Sequence, residues 1–458
     1  MNGGFSNVKR FILMLVSFCL CLGAVSCASD GTFDATDAQT DAVSTVTDDA
    51  EDTSASDEPE DDIVFDAKAT VVNRNGAKGV VTYVIDDGYA DTAEYAATML
   101  DRYDSLTFSF ALQTKLFATL KTRDDGNGGL EYVKDQNGKY EYTVNENNVE
   151  FWQGILDLGR SEIVSHTHTH AFWGTNDDGG KFQYFKTDGT LMTSDVMPKG
   201  SSTKELYASK QILSDLFGER AVSFVDAGIG VRTGQSTVSG VTLEGYKTYF
   251  NELLKNAIKS GDYIGSRGTF QATSGFENYV NTKATLSVME NRMNVKAFMI
   301  LNSNAGEDIK NWTGYIDAAL AKGGWACFCI HQMTRNSSSA HHILQSQAKQ
   351  LFQYTDDLGD DVWVAKFTDA MLYFSEWSTA KVSAEYGKGA IKVTLTDKEA
   401  NNSVYCFPLT VKVTVPDQWS SARLGDTVLK IRTDADGSKY VLANIVPDGG
   451  AVDIVGSK

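Results

Sequence analysis

Between residues 79 and 377 the chain alternates short apolar runs with segments whose apolar positions recur every three to four residues. That is the pattern of strands buried on both faces with helices packed around them, a parallel α/β architecture. Apolar runs fall at 80–85, 106–112, 294–301, 325–330 and 362–365, with others ahead of His166 and within 221–225 and 262–270. Between them, Ala93, Ala96, Ala97 and Leu100 share one helical face, as do Phe151, Trp152, Ile155 and Leu158. Leu206, Leu213 and Leu216 mark another helix, opened by a capping-box signature from Ser202 to Glu205. Ile309, Trp312, Ile316 and Leu320 mark a further one, ended by Gly323 and Gly324. The count is about seven βα units. Asn137-Gly138 between two alternating runs predicts a hairpin inserted into this series. Residues 172–200 read as a long loop, in which Phe172, Trp173, Phe182, Tyr184 and Phe185 are either sugar-stacking walls or simple loop packing.

Near residue 378 the period changes from three or four to two. Ile391, Val393 and Leu395, then Val411, Val413 and Val415, then Val428 and Ile431 predict a small antiparallel β-sandwich over 379–458.

The first 62 residues lie outside both patterns. Lys9 and Arg10 precede an apolar run that ends in Ala24-Val25-Ser26-Cys27, so residues 1–27 read as a secretory signal whose cleavage site resembles a bacterial lipobox. Cys27 then carries lipid, and the protein is expected to be extracytoplasmic and anchored to a bacterial membrane; ordinary cleavage and free secretion is the alternative. Residues 28–62 hold thirteen acidic residues, no Lys or Arg, and Phe33 as their one aromatic. Such a stretch buries too little apolar surface to offset its ordering entropy and reads as a disordered tether. With these two segments removed, the net charge of −19 shrinks to 47 acids against 39 bases, or −8. No basic cluster points to nucleic acid. Cys327, Cys329 and Cys406 are left as small buried hydrophobes without a disulfide framework.

Candidate chemistry gathers at two places. The run 80–85 ends in Asp86, Asp87 and Gly88, and carboxylates at the end of a buried strand need a cation, hydrogen bonds or a metal. Gly88 permits a turn that lets the two acids serve one pocket in different roles. Three of the six histidines, His166, His168 and His170, alternate in a second stretch. On a strand all three share a face; on a helical turn His166 and His170 share one and His168 points elsewhere. An i, i+4 histidine pair completed by a carboxylate makes a three-ligand metal site with an open position.

Asp-Asp-Gly after one apolar strand and His-Thr-x-x-His after another resemble the polysaccharide deacetylases of carbohydrate esterase family 4, the NodB-homology domain, over roughly residues 79–377. The resemblance implies a distorted (β/α) barrel within 63–378, with Asp87, His166 and His170 binding Zn²⁺ or another divalent metal such as Co²⁺ or Ni²⁺. It implies Asp86 as general base, Thr167 at the hydroxyl position between the histidines, and His331, in FCIHQM, as general acid. Where the family has an Arg-x-Pro-type motif the chain has Asp226, Ala227, Gly228 and Ile229. Backbone N–H groups at Gly228 and Ile229, or at Gly230, are then the oxyanion donors, and Arg232 and Arg267 are candidates to orient the base. The expected substrate is an N-acetylated extracellular amino-sugar polymer, and the expected state a monomer. Two rivals stay open: a binuclear hydrolase built on all three alternating histidines, and a glycan-binding lipoprotein that keeps the fold without the activity.

Overall fold

A computed structural model of the chain describes residues 64–458, apart from 127–129, 171–179, 186–190, 198–200, 219–221, 226–236, 239–240, 243, 302–308 and 337–340. The signal segment, Cys27 and the acidic tether therefore lie outside the described residues.

Seven parallel strands form the barrel: β1 (Gly79–Asp86), β2 (Phe108–Leu112), β3 (Ser161–Ser165), β4 (Ser223–Val225), β5 (Gly265–Arg267), β6 (Ala297–Met299) and β7 (Trp325–Ile330). Each lies beside its neighbour in sequence, and β7 returns to β1 over six residue pairs, Trp325 with Val80 through Ile330 with Ile85. The β5–β6 junction is thinner. It is held by single bridges at Arg267–Val295 and Phe270–Phe298. The run at 362–365 is not one of the seven. Its strand, β8 (Val362–Val364), pairs with Gly79–Val81 at the start of β1, where β2 has not yet joined; β2 meets β1 only from Val84 onward.

Side chains of alternate sign sort the strands into two layers. Tyr83, Phe108, Phe110 and Phe328 pack outward in one buried cluster with the surrounding helices, which include α1 (Ala90–Arg102), α2 (Glu146–Leu156), α5 (Ile309–Lys322) and α6 (Gln345–Asp357). Burying each such side chain contributes roughly 1.5–3 kcal/mol. Gly79 lets α5 pack closely, since a Cβ there would lie 3.1 Å from the Leu320 backbone. Val84, Ala111, Val164, Val225, Ala297, Cys327 and Cys329 belong to the inner cluster.

One end of the barrel is plugged by α7 (Phe367–Thr379). Its first N–H groups, at Phe367 and Thr368, donate to Ser109 Oγ (2.7 Å) and Glu162 Oε1 (3.0 Å) near the starts of β2 and β3. A carboxylate there also suits the positive end of the helix dipole. The other end of the barrel is thereby left as the face for chemistry.

Beyond α7 lie two antiparallel sheets that share a core with it, a β-sandwich of four and five strands. The strand Ala69–Val72 pairs with Leu409–Thr414, so residues preceding the barrel supply one strand of the C-terminal sandwich. Barrel and sandwich belong to one compact unit, Asp62–Lys458. They also meet through Arg292, which donates to both carboxylate oxygens of Glu399 (3.0 and 2.6 Å). Among the described residues no helix is long and apolar enough to cross a membrane.

The hairpin turn at Asn137-Gly138 forms, with Asp135 Oδ1 accepting from the Asn137 and Lys139 N–H groups. Its flanks pair mainly with the preceding segment, Thr122–Asp124 with Leu130–Tyr132 and Ala118–Leu120 with Tyr142–Val144. The expected long loop over 172–200 contains a second hairpin, Gly180–Phe185 with Leu191–Met197.

Near the barrel–sandwich junction, burial pushes the half-buried Asp397 carboxyl up from 3.8 to about 6, with Asp448 and Glu399 adding to the effect. A raised carboxyl pKa costs stability once the group must ionise, so the cost is absent below the unfolded value and complete above the folded one. Asp397→Asn keeps an acceptor for the Glu399 N–H. It should stabilise the protein by about 1 kcal/mol above pH 6, after allowance for solvent screening, and by nothing below pH ~4. Melting temperatures of both proteins at pH 4 and pH 7 check this.

Candidate functional site

Asp86, His166, Arg267 and His331 all stand at the ends of barrel strands opposite α7: Asp86 closes β1, His166 follows β3, Arg267 closes β5 and His331 follows β7. The turn after β1 explains how adjacent acids separate. Asp87 and Gly88 both have left-handed backbone, φ 73° and 76°. The left-handed φ at Gly88 favours glycine, and a Cβ there would also press on Leu116 Cδ1 at 2.7 Å, which would have to shift.

Asp86 turns inward. Its Oδ2 pairs with the fully buried guanidinium of Arg267 and lies 3.5 Å from Cys329 Sγ, while Oδ1 is buried with no hydrogen-bond partner. Burial alone would weaken the Arg267 cation, but Asp86, with Cys329 and Cys327 beside it, outweighs that and raises its pKa further. Burial also pushes the Cys329 thiol well up, which keeps it a thiol.

Asp87 meets two imidazoles, one of which, His166, also has its Nε2 4.0 Å from Asp86 Oδ2. Its Oδ1 lies 3.1 Å from His170 Nε2 and 3.5 Å from His166 Nε2, and the two rings meet edge to face with centroids 4.8 Å apart. Burial favours the neutral carboxyl, but hydrogen bonds from His166 and His170 outweigh it and hold Asp87 well below the ordinary carboxylate range. For His166, burial favours the neutral ring, and Asp86 and Asp87 outweigh that and raise its pKa. Gln113 Nε2 donates to the same Asp87 oxygen at 3.2 Å.

The histidine stretch is neither strand nor helix. After Ser165 the chain bends through Thr167 and His170, both left-handed with φ 69° and 57°. Positive φ at non-glycine residues persists only where surroundings enforce it. Here Thr167 Oγ1 accepts from the His170 N–H at 2.8 Å, and the Thr167 and His168 carbonyls accept from the Thr114 and Lys115 N–H groups. His168 is turned away from Asp87, its Nδ1 2.9 Å from Thr114 Oγ1, and burial pushes its pKa down to about 4. The three alternating histidines therefore do not share a face, and the binuclear arrangement built on them is not formed.

The donor set of Asp87, His166 and His170 fits a small divalent cation. Their ligand atoms all lie within 4.8 Å of one another. Neighbouring ligands of a tetrahedral zinc with bonds of 2.0–2.1 Å stand roughly 3.3 Å apart, which the 3.1 and 3.5 Å separations bracket. His166 Nδ1 donates to the Val225 carbonyl at 2.9 Å, so in the neutral ring Nε2 carries the lone pair that a metal would take. A second group, Asp86, Cys329 and His331, also converges within 4.8 Å. The Arg267 cation bonded to Asp86 opposes another positive charge at that place.

His331 is mostly buried, with Nδ1 unpartnered and the His341 ring 5.1 Å away, and burial lowers its pKa. Trp173, Gly228, Ile229, Gly230 and Arg232 lie outside the described residues, so of the two candidate arginines it is Arg267 that is found on Asp86. Sequence reasoning missed Gln113, Cys329 and Glu205. The Glu205 carboxylate, at the end of the capping-box signature, accepts from the histidine loop.

No protein-family model matches the chain. A gellan lyase from a Bacillus species is 29% identical over an alignment of 213 residues that covers 42% of this chain and 8% of that protein. Among solved structures, the Xyl-CE4 domain of a multidomain xylanase from the hindgut metagenome of Trinervitermes trinervoides aligns over 64% of this chain and 89% of its own, with 12% identity and a TM-score of 0.29. The peptidoglycan deacetylase PdaC from Bacillus subtilis aligns over the same shares with 10% identity and a TM-score of 0.29. A CE4-family pseudoenzyme from Bacillus anthracis aligns over 65% of this chain and 66% of its own, with 10% identity and a TM-score of 0.28.

Proposed function

We propose that the protein hydrolyses N-acetyl groups from an extracellular amino-sugar polymer of the peptidoglycan, chitin or poly-N-acetylglucosamine kind, with a divalent metal held by Asp87, His166 and His170. The observation that carries this reading is the division of two adjacent carboxylates between two networks, one made of imidazoles and one made of a buried guanidinium. A bound Zn²⁺, Co²⁺ or Ni²⁺ supplies Lewis acidity for the acetyl carbonyl and makes water more acidic.

The chain's own groups then divide the proton work. Asp86 takes a proton from the attacking water through Oδ1, the buried oxygen without a partner, while Arg267 holds the other oxygen and so aims the carboxylate. As water oxygen bonds to the acetyl carbon and the carbon–nitrogen bond breaks, His331 gives a proton to the departing amine, and the products are acetate and a free amino sugar. Backbone N–H groups at Gly228 and Ile229 are assigned to the oxyanion, and Trp173 to the sugar wall. The gellan lyase match is in keeping with a polysaccharide context. Lipid on Cys27 would hold the enzyme, as a monomer, at the outer side of a bacterial membrane.

Metal content combined with acetate release tests this. Metal-loaded protein should release acetate from at least one of acetylated chitooligosaccharides, peptidoglycan and poly-N-acetylglucosamine. One equivalent of metal with no acetate from any of the three would overturn the enzymatic reading and favour a glycan-binding protein.

A further inference from the structure

We propose that Glu205 is a positioning residue for the metal ligand His170, acting through the backbone between the histidines; this rests on the reading of His170 as a ligand. The His168 and Thr169 N–H groups both donate to Glu205 Oε2 at 2.8 Å, and Thr169 Oγ1 donates to Oε1 at 2.7 Å. Glu205 is 2% exposed. Two consecutive N–H groups on one carboxylate oxygen fix the intervening peptide plane, and bonds to an ionised acceptor are the stronger kind.

That plane lies one residue before His170. With Thr169 held at both N–H and hydroxyl, and the His170 N–H held by Thr167 Oγ1 at 2.8 Å, little backbone freedom remains for the ring that meets Asp87. Without the carboxylate, the His168 and Thr169 N–H groups would lose the acceptor that compensates a strained loop.

The clamp is itself anchored from two sides. Lys204, 4% exposed, lies 3.2 Å from Glu205 Oε1, and its ammonium sits 5.2 Å from the Tyr132 ring centre in the inserted segment. Burial raises the Glu205 pKa, but Lys204, His168 and the bonds from Thr169 together outweigh it and hold the carboxyl low. The same insertion grips the helix that carries Glu205, α3 (Ser201–Phe217), by paired bonds between the Tyr140 backbone and the Gln211 side chain, 2.8 and 3.0 Å. The insertion thus reaches the proposed metal through Lys204 and Glu205.

Zinc affinity, measured by competition with a chromophoric chelator on the full chain, tests this beside the melting temperature of the metal-free protein. Glu205→Ala should weaken zinc binding by about 10–100-fold, the usual effect of losing an outer-shell partner. Glu205→Gln keeps an oxygen for the two N–H groups but leaves Lys204 without its counter-charge. It should melt lower than wild type yet bind zinc nearly as well. Thr169→Val removes one bond and should weaken zinc binding by about fivefold, and it decides the matter if the alanine variant does not fold. Wild-type zinc affinity in folded Glu205→Ala, or in Thr169→Val, would overturn the positioning role alone. A wild-type chain that binds no zinc would overturn the proposed metal site, and the positioning role with it.

Discussion

Zinc binding is expected to vanish in His166→Ala and to survive in Asp86→Asn, with turnover lost in both. His166 is 2% exposed, and its Nδ1 is committed to the Val225 carbonyl. Alanine there removes one of three donors. Asp86 stands outside the donor set and keeps its place through Arg267. Its amide variant should bind one equivalent of metal while kcat falls roughly 10²–10⁴-fold, the usual contribution of a positioned general base. Metal analysis of the purified variants, set beside acetate release, separates the two losses. An Asp86→Asn protein without metal would mean that the adjacent acids are not divided as their contacts indicate.

The largest effect on stability should come from Arg267→Met. The Arg267 side chain is fully buried and that of Asp86 is 4% exposed, so removing the cation strands a carboxylate away from water. Breaking a buried pair in this way costs about 3–5 kcal/mol, whereas replacing both partners by uncharged groups of similar size can cost little or nothing. Urea denaturation should therefore show a large loss for Arg267→Met and recovery of most of it in the double variant with Asp86→Asn. Equal stabilities for wild type and Arg267→Met would mean that the pair does not govern this end of the barrel.

Much of the architecture was legible because burial on both faces leaves an unambiguous mark. Val80 to Ile85 form an uninterrupted apolar run, and the run at 325–330 has the same character; these two became adjacent strands. The final short run was legible as a strand but not as an extra one, since the place of Val362–Val364 depends on β1 and β2 separating at their starts, a three-dimensional property. The strand Ala69–Val72 carries no local sign that its partner lies more than 300 residues away, at Leu409–Thr414.

The candidate site was legible in its residue types and only partly in its geometry. Asp-Asp-Gly announced a turn, and the turn formed as left-handed backbone at Asp87 and Gly88. Periodicity offered only strand or helix for the histidines, and neither describes a loop bent at Thr167 and His170. Glu205 was hidden for a related reason. A glutamate three residues after a serine at a helix start satisfies a local rule, and nothing in the local pattern reveals the longer-range demand of the His168 and Thr169 N–H groups for an acceptor. Arg267 could be singled out only as one of two candidates, because strand-end position does not specify which strand faces Asp86.

X-ray absorption spectroscopy of the zinc-loaded protein tests the central assignment most directly. One zinc per chain is expected, with a first shell of nitrogen and oxygen at about 2.0–2.1 Å and the scattering signature of two imidazoles. A sulfur shell near 2.3 Å would place the ion on Cys329 with Asp86 and His331, and would contradict the division of labour between the two aspartates.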